Sequence, residues 1–464
     1  MRPDSILQKL EGKKIIILGF GREGRSSYHL IRRYFPDMPL TISDKSETLF
    51  QEDFSDEHLT LIAGIQYDRN LNEYDLILKS PGISFNNLDY LVETERITSQ
   101  TDLFLQEFHA QVVGITGTKG KSTTASLTYH LLKEAGKDVI LAGNIGVPLF
   151  DVIEQMTPQT LVVAELSAHQ LEFLHRSPDY AVLLNIYQEH LDHFNSFNNY
   201  QIAKINIARF QEERQFFVYN GDDPLIADLI QSYSLNRDRV IFGTQHHTGI
   251  HALCDDHVVG FYNGKTLLEE YDLTDHTHLP GRHNYFNIMA AMAVARHFGL
   301  DKDEILQGLS TFHGLPHRIE FVGKFQDINF YNDSISTIPE AAVAAVKALR
   351  KVDTLILGGF DRGIDYSRLI EFLGEHPVRN VAFTGPAGHR ILDEWMRTSL
   401  PLPEHYVVEE DFRKIVDFAF EHTAPNKIAL LSPAAASYNQ FKNFEERGDR
   451  FKQYVVEYSK NHTL

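Results

Sequence analysis

The chain has 464 residues, of which 43% are hydrophobic and 23% charged, a balance typical of folded proteins rather than disordered or fibrous ones. A formal net charge of -19, with no run rich in lysine and arginine, argues against nucleic acid as a partner. The single cysteine, Cys254, excludes a disulfide framework and a zinc site with several cysteines. We interpret it as a structural residue of a protein kept in a reducing compartment.

Targeting signals are not evident in the sequence. The first residues lack an apolar stretch followed by a small-residue cleavage site, and no later run has the length of a membrane span. We therefore expect a cytoplasmic protein without a membrane partner. The length predicts two to four domains.

Strand-like and helix-like runs alternate along the chain in three series, a pattern that predicts an α/β fold with parallel sheets. The first series is KKIIILGF, RSSYHLIRRYF, PLTISD and DLILKSPGI. The second contains QVVGIT, DVILAG, TLVVAEL, YAVLLNI, FFVYN, RVIFG, VVGFYNG and the helical segment HNYFNIMAAMAVARHF. The third, after Gly314-Leu315-Pro316, contains FQDINFYNDS, DTLILGGF, NVAFTG and KIALLSP. We predict three domains, at residues 1–102, 103–314 and 315–464.

A first glycine loop, Gly19-Phe20-Gly21-Arg22-Glu23-Gly24, lies between a predicted strand and a predicted helix. With Asp44 at the end of the next strand, it satisfies the dinucleotide-binding fingerprint. Such a loop brings backbone N–H groups and a helix N-terminus to a diphosphate. By itself it indicates an NAD-dependent oxidoreductase, and the alternative is a glycine turn that packs helix against strand.

A second glycine loop, Gly117-Thr118-Lys119-Gly120-Lys121-Ser122-Thr123, joins the strand QVVGIT to the next helix. We predict that its backbone amides hold the phosphates of ATP and that Lys121 reaches the β/γ oxygens. The hydroxyl of Ser122 or Thr123 would bind Mg²⁺. The loop differs from the general phosphate-loop pattern because Ile115 stands where the first glycine belongs.

Candidate magnesium ligands follow two strands of the second series. Glu165 ends TLVVAEL, and the motif Glu189-His190-Leu191-Asp192-His193 follows YAVLLNI. Parallel strands would place both at the edge that carries the phosphate loop, and oxygen ligands suit magnesium. Taken alone, a buried histidine or glutamate is more often a hydrogen-bonded core residue.

Over almost its full length the chain resembles the Mur ligases. The motifs that carry the resemblance are GITGTKGKSTT (114–124), GNIG (143–146), ELSAHQLE (165–172), NIYQEHLDHF (185–194), YQIAKINI (200–207), NGDD (220–223), PGRHNYFN (280–287), GLPHR (314–318) and LLSPAAASYNQFKNFEERG (430–448). The last is similar to the signature of the glutamate-adding members. The implied architecture is a Rossmann-like N-terminal domain, a central P-loop-type ATPase domain and a Rossmann-like C-terminal domain.

The resemblance also implies roles for individual residues. The UDP part of the substrate would lie near Gly21, Arg22, Glu23, Asp44, Lys45, Ser80, Gly82 and Asn144. Besides the phosphate loop, ATP would contact Asn287, Arg318 and Asp333. Two magnesium ions are implied, with Ser122, Glu165, His190 and Lys204 as ligands; a lysine can serve only after CO₂ has converted it into a carbamate. Without the resemblance, Lys204 would be interpreted as a surface lysine.

The implied reaction is amide-bond formation between UDP-N-acetylmuramoyl-L-alanine and glutamate through an acyl phosphate, and the resemblance implies a monomer. Glutamate would contact Thr337, Arg362, Ser437, Tyr438 and Phe444. Two positions depart from the family pattern: Ile335 replaces a usual lysine, and Arg362 replaces another. Arginine can still pair with a carboxylate, so glutamate is expected, most readily in the D form, while an L-glutamate-adding relative stays an alternative.

Three other classes compete with this interpretation. A folylpolyglutamate synthase would share the ATP domain but lack the hundred residues that precede it here. An NAD-dependent oxidoreductase would leave the second glycine loop unexplained. A non-catalytic nucleotide-binding regulator would not need Lys121, Glu165, His190 and Lys204 together.

Overall fold

The computed structural model describes residues 1–48, 56–86, 88, 90–235, 238–279, 281 and 283–462. Two residues of the predicted motif PGRHNYFN, Pro280 and Arg282, lie outside the described residues. The chain forms two compact units, Met1–His276 with His283–Thr311, and Thr277–Arg282 with Phe312–Leu464.

The first unit begins with a parallel sheet that has five strands among the described residues, in the order β3-β2-β1-β4-β5. Every residue of the strand IIIL at its centre is buried, because helices cover both faces of a parallel sheet. The elements are α1 (Asp4–Leu10), β1 (Ile15–Leu18), α2 (Arg22–Tyr34), β2 (Leu40–Asp44), β3 (Leu59–Ala63), β4 (Leu76–Lys79), β5 (Ile97–Thr98) and α3 (Gln100–Phe108).

The rest of the first unit is built on a second sheet, with nine strands among the described residues. Its elements are β6 (Val112–Thr116), α4 (Lys121–Glu134), β7 (Val139–Gly143), α5 (Leu149–Val152), β8 (Leu161–Glu165), α6 (Ala168–Leu171), β9 (Tyr180–Leu183), α7 (Leu191–Phe194), α8 (Phe197–Arg209), β10 (Phe216–Asn220), α9 (Pro224–Ser232), β11 (Asp238–Gly243), β12 (Ile250–Asp255), β13 (Val258–Asn263), β14 (Thr266–Asp272), α10 (His283–His297) and α11 (Lys302–Thr311).

The strand order of this sheet is β14-β13-β12-β11-β10-β9-β6-β8-β7. From β7 to β12 all neighbouring strands are parallel, whereas β13 and β14 add an antiparallel extension. Strand β6 lies between β9 and β8, so the residues that follow these three strands share one edge. This arrangement positions the candidate site.

The second unit contains a sheet with six strands among the described residues, in the order β15-β16-β20-β17-β18-β19. All neighbours are parallel except β15 and β16. The elements are β15 (Glu320–Phe325), β16 (Ile328–Asn332), α12 (Pro339–Leu349), β17 (Val352–Gly358), α13 (Ser367–Glu375), β18 (Asn380–Thr384), α14 (Gly385–Met396), β19 (His405–Val408), α15 (Phe412–His422), β20 (Ile428–Leu431) and α16 (Phe444–Asn461).

The α/β class predicted from the sequence is confirmed, with one sheet for each predicted series. The domain limits stay a prediction; the predicted break after residue 102 lies inside α3, and both sheets before residue 277 belong to one compact unit. Within the described part of the chain, every helix is too short or too polar to cross a bilayer.

Candidate active site

The second glycine loop joins the end of β6 to α4, which begins at Lys121. Gly120, just before the helix, has a φ of 86°, and a Cβ there would lie 2.3 Å from Oδ1 of Asn287, so only glycine fits. The Nζ atom of Lys121 donates to the carbonyl oxygens of Gly117 and Thr118, each at 2.9 Å. The side chain of Lys121 is therefore folded back over the loop that is predicted to bind the phosphates.

Contacts with the segment after β9 hold the loop in shape. The amide of Thr118 donates to the carbonyl of Asn185 at 3.0 Å, and the Lys119 amide donates to the Asn185 side chain at 2.8 Å. The hydroxyl of Thr118 accepts from the amide of Tyr187 at 2.9 Å and lies 3.0 Å from the Tyr200 hydroxyl. Hydrogen bonds within the protein thus fix the shape of the loop, which is the preorganisation that anion binding requires.

Lys204 lies beneath this loop and is fully buried in α8. Its Nζ donates to the carbonyl of Gly117 at 2.7 Å and to the hydroxyl of Thr116 at 3.3 Å. Burial, and secondarily the charge of Lys121, hold the pKa of Lys204 well below its usual range. The structure therefore brings together two lysines that are 83 positions apart in the sequence, and burial shifts the second toward its neutral form.

Glu165 ends β8 at the same edge and is only 1% exposed. Its Oε1 accepts from Nδ2 of Asn144 at 2.7 Å, while Oε2 has no hydrogen-bond partner among the described residues. A buried carboxylate oxygen without a partner is costly unless a cation or donor reaches it. This orphaned oxygen fits a divalent cation beside the phosphate loop.

His190 follows β9 and precedes the one-turn helix α7 in a left-handed conformation, with a φ of 55°. The ring of His169 lies 4.7 Å from the ring of His190 and 4.3 Å from that of His193. Burial, followed by the two neighbouring histidines, lowers the pKa of His169 to about 4, so this imidazole is neutral at pH 7. Among the described residues, no three His, Cys, Asp or Glu side chains are grouped as metal ligands.

The predicted magnesium set of Ser122, Glu165, His190 and Lys204 contains only two side chains of those four types, so it stays a prediction. Magnesium keeps several waters and takes substrate phosphates as ligands, so it does not need an all-protein cage. Ser122 and Thr123 lie in the first turn of α4, beside Lys121.

A cavity of about 710 Å³ opens beside the phosphate loop. Asn287, predicted to contact ATP, lies in its wall and accepts from the hydroxyl of Thr124 at 3.2 Å. The sequence interpretation did not assign Asp223 and Phe286, which also line the cavity; the motif NGDD was the available signal for the first. The lining residues are Lys119, Gly120, Leu184, Asn185, Ile186, Tyr187, Asn220, Asp222, Asp223, Pro224, Leu225, His283, Phe286 and Asn287.

Arg318 and Asp333, also predicted to contact ATP, belong to the second unit. Asp333 follows β16, and its carboxylate accepts from the Ile319 amide at 3.1 Å and from the Ser432 hydroxyl at 2.7 Å. Burial raises the pKa of Asp333 to about 6. Its contacts join the ends of β16 and β20 within that unit.

A second cavity of the first unit, of about 360 Å³, lies beside the first glycine loop. Seven of the eight residues predicted for the UDP substrate line it; Lys45 is the exception. Those seven are Gly21, Arg22, Glu23, Asp44, Ser80, Gly82 and Asn144. The first sheet and the Asn144 turn of the second sheet therefore enclose one pocket.

The backbone of the first glycine loop forms hydrogen bonds with side chains from other parts of the first unit. The Phe20 amide donates to Oδ2 of Asp44 at 2.6 Å, and the Ser80 hydroxyl donates to the Gly19 carbonyl at 2.7 Å. The carboxyl of Glu23 is turned inward and accepts from Nε2 of Gln170 at 2.7 Å. Burial raises the pKa of Glu23 to about 7.

The residues predicted for glutamate lie in the second unit, after β16, β17 and β20 and at the start of α16. The guanidinium of Arg362 lies 5.6 Å above the ring of Tyr438, and both side chains are exposed. Ser437 is buried next to Tyr438, and Thr337 is half-buried before α12. The carbonyl of Phe444 accepts from the hydroxyl of Ser334 at 2.8 Å.

Arg447 lies within the motif of residues 430–448, but no separate role was predicted for it from the sequence. It is 2% exposed and donates to the hydroxyl and carbonyl of Ser334 and to the carbonyl of Ala435, at 2.9, 2.8 and 3.1 Å. Burial lowers its pKa to about 9. Arg447 therefore supports the loops that carry the predicted glutamate residues.

The part of the chain that carries the phosphate loop, Glu165, His190 and Lys204 is similar to known proteins. Residues 115–295 match the family model of the Mur ligase middle domain. The MurF ligase of Thermotoga maritima, solved in complex with ADP, has the same fold, with a TM-score of 0.51 and 20% identity over 84% of this chain and 90% of that one.

Two relatives named UDP-N-acetylmuramoylalanine–D-glutamate ligase match nearly the whole chain. Those of Caldicellulosiruptor bescii and Oceanobacillus iheyensis are 32% and 33% identical, covering 97% of this chain and 98% of each relative. The chain therefore belongs to the Mur ligases, in the family of the UDP-N-acetylmuramoylalanine–D-glutamate ligases. This full-length match favours that family over the folylpolyglutamate synthases and the NAD-dependent oxidoreductases.

Proposed function

We propose that the protein is an ATP-dependent ligase that joins D-glutamate to the terminal carboxylate of UDP-N-acetylmuramoyl-L-alanine, a step in peptidoglycan precursor synthesis. The relatives' names support the substrates. The observation that carries the reaction class is the ordered phosphate loop, with Lys121 folded over it and Lys204 beneath it. Such a site is suited to a triphosphate whose terminal group is transferred.

ATP is supported by the ADP bound to the related MurF ligase and by the cavity that continues from the loop. Magnesium would be held by Glu165, Ser122, His190 and the modified Lys204, and would supply charge neutralisation at the phosphates. Lys121 and the N-terminus of α4 would stabilise negative charge on the transferred phosphoryl group. The unpartnered oxygen of Glu165 supports this assignment.

Lys204 would act as a carbamate. Its amine, once deprotonated, can attack CO₂, forming an N–C bond and releasing one proton, and the product is an anionic carbamate. The buried position supports this chemistry, because burial favours the neutral amine. A carbamate at this position would also remove the repulsion that an ammonium group would exert on a metal ion.

The reaction has two balanced steps. The substrate carboxylate attacks the γ-phosphorus of ATP, giving an acyl phosphate and ADP. The glutamate amine then attacks the acyl carbon, the C–O bond to phosphate breaks, and a proton leaves the nitrogen as the amide forms. Because no covalent enzyme intermediate is needed, the protein acts by positioning and by charge stabilisation.

The substrates would be held by two separate regions. The UDP part would occupy the cavity beside the first glycine loop, where Gly21 and Arg22 lie close to the α2 N-terminus. Glutamate would be held in the second unit, with Arg362 receiving its side-chain carboxylate. We further propose a cytoplasmic monomer of three domains, 1–102, 103–314 and 315–464, that has no nucleic-acid or membrane partner.

The test is phosphate release from ATP with UDP-N-acetylmuramoyl-L-alanine and Mg²⁺, with D- and L-glutamate supplied separately. We expect release only when all substrates are present and only with D-glutamate. Release with L-glutamate alone would favour the alternative suggested by Ile335 and Arg362. No release with either amino acid would reject the proposed ligase.

The glutamate assignment predicts a separate effect for Arg362→Ala. Loss of a charged hydrogen bond to the side-chain carboxylate should raise the KM for glutamate about 10- to 100-fold and leave the KM for ATP nearly unchanged. Steady-state kinetics with each substrate varied in turn measure this difference. The exposed neighbour Arg368→Ala is the control; an equal rise in both KM values for Arg362→Ala would count against the contact.

A further inference from the structure

Lys79 is the last residue of β4 and precedes the Ser80 turn that lines the UDP cavity. Although it is a lysine, it is only 4% exposed. Its Nζ donates to Oε2 of Glu172 at 3.0 Å, and the rings of Phe173 and Phe85 lie 5.3 and 5.9 Å from it. An ammonium group is costly to bury unless a carboxylate pairs with it, and Glu172 supplies that carboxylate.

The partner of Lys79 also contacts the segment that carries His190. The same oxygen of Glu172 accepts from Nε2 of His193 at 3.0 Å. His193 lies in α7 and is 8% exposed. Lys79, Glu172 and His193 thus form a continuous chain of contacts from the first sheet to the helix that begins after His190.

The loop after Lys79 reaches the same helix by a second route. The side-chain amide of Asn86 donates to the Asp192 carbonyl at 3.2 Å, and the Ser84 hydroxyl donates to the His193 carbonyl at 3.4 Å. Ser80, at the start of this loop, is bonded to Gly19 of the first glycine loop. Helix α7 is therefore attached directly to the structure that forms the UDP cavity.

Helix α7 has few internal backbone hydrogen bonds to hold His190 in position. Its four residues span one turn, and the amides of His193 and Phe194 donate to the His190 carbonyl at 3.1 and 3.0 Å. Since an isolated single turn is unstable in water, its position depends on outside contacts. Among the contacts that link the first sheet to α7, the ion pair of Lys79 and Glu172 is the most deeply buried.

We propose that Lys79 is a positioning residue of the ligation: through Glu172 and His193, its ammonium group holds the helix that carries His190 against the UDP cavity. The inference rests on the proposed function, because it takes His190 as a ligand of magnesium. Loss of a group that supports a metal ligand lowers activity about 10- to 100-fold. Lys79 itself does not contact the reacting atoms.

The first test is amide hydrogen exchange in the ligand-free protein, compared between wild type and Lys79→Met. The amides of His193, Phe194 and Asn195 should exchange at least about tenfold faster in the variant, with α4 unchanged. Lys14→Met is the matched control, because Lys14 pairs with Glu73 at 3.8 Å on the exposed opposite end of the same sheet. Unchanged exchange in α7, or faster exchange throughout the first unit, would overturn the proposal.

Kinetics provide the second readout. Lys79→Met should lower kcat about 10- to 100-fold with little change in the KM for the UDP substrate, and Lys79→Arg should restore part of kcat. If Lys79→Met does not fold, Glu172→Gln is measured in the same way, with the same expected results. Failure of both variants to fold would overturn the proposal, because the pair would then hold the fold as a whole.

The proposed ligase function and the proposed role of Lys79 can be rejected separately. Wild-type protein that releases no phosphate would reject the proposed function whatever the exchange result. An active wild type together with an Lys79→Met variant of normal kcat and normal exchange in α7 would reject only the role of Lys79.

Discussion

The two glycine loops each follow an apolar strand, yet different ionisable side chains surround them. Around the first loop, Asp44 accepts from a loop amide, and the carboxyl of Glu23 is buried next to the cavity. At the second loop, the amino groups of Lys121 and Lys204 converge on the Gly117 carbonyl. We therefore expect the first loop to bind the UDP substrate and the second to bind ATP, where Lys121 can reach the phosphates.

The comparison shows that a glycine pattern defines a backbone shape and leaves the ligand undefined. Both loops present amides at a helix N-terminus. The side chains that arrive from other elements decide which anion is favoured. At the second loop, these side chains are Glu165 from β8 and Lys204 from α8, which we propose bind magnesium beside the phosphates.

The largest expected effect is that of Lys121→Ala, which removes the cation folded over the second loop. Without it, negative charge on the transferred phosphoryl group loses its nearest stabilising donor, and kcat for phosphate release should fall at least about 10²- to 10³-fold. Binding of the UDP substrate should be nearly unchanged. Lys133→Ala, exposed at the other end of α4, is the control; full activity of Lys121→Ala would remove the distinction between the loops.

Lys204→Ala should also be close to inactive, by about 10²-fold or more, because the proposed carbamate supplies a carboxylate beside the phosphates. Added short carboxylates such as formate or acetate should restore part of the phosphate release. The rescue distinguishes a lost ligand from a damaged core. Activity that is indifferent to the substitution would contradict the carbamate assignment.

Arg22→Ala tests the first loop and should have a smaller effect. Arg22 is exposed in the UDP cavity, where its guanidinium donates to the Gly146 carbonyl at 2.7 Å. Its removal should raise the KM for the UDP substrate about tenfold and leave the KM for ATP unchanged. Equal changes in both KM values would mean that the two loops do not bind separate ligands.

Glu23→Gln should change stability, and only at higher pH. Because burial raises the pKa of Glu23 from 4.5 to about 7, folding becomes less favourable as the pH rises between those values, and the cost persists above them. Glutamine mimics the protonated form. Urea unfolding should show similar stability at pH 4.5 or below and a variant more stable by up to about 3 kcal/mol at pH 8.

The control for that measurement is Glu11→Gln, an exposed position at the end of α1. Its stability at the same two pH values is the reference for replacing an exposed glutamate. A stability difference for Glu23→Gln that is the same at both pH values would show that the Glu23 carboxyl is not held in its protonated form.

Local patterns in the sequence predicted much of the fold and the identity of both loops. The strands before each loop are apolar runs that end at glycine, and the predicted common edge for Glu165 and His190 follows from the parallel order β9-β6-β8. Strands β3 and β5 were not predicted, because β3 is partly exposed along its length and β5 has only two residues.

Local sequence patterns could not predict the contacts between segments that are distant in the chain. The burial of Lys204 beneath Gly117 depends on how α8 packs against β6, and the ion pair of Lys79 with Glu172 joins the end of β4 to the residue that follows α6. A lysine in a helix is usually exposed, so only the resemblance to the Mur ligases singled out Lys204. Lys79 was not singled out at all.

The central claim is that the second glycine loop binds the triphosphate of ATP. Isothermal titration of ATP with Mg²⁺ into wild-type protein and into Lys121→Ala tests it most directly. The account predicts binding to wild type and at least tenfold weaker binding to the variant, because a charged contact to phosphate contributes about 1.5–3 kcal/mol. Wild-type protein without affinity for ATP, or equal affinity in the two proteins, would contradict it.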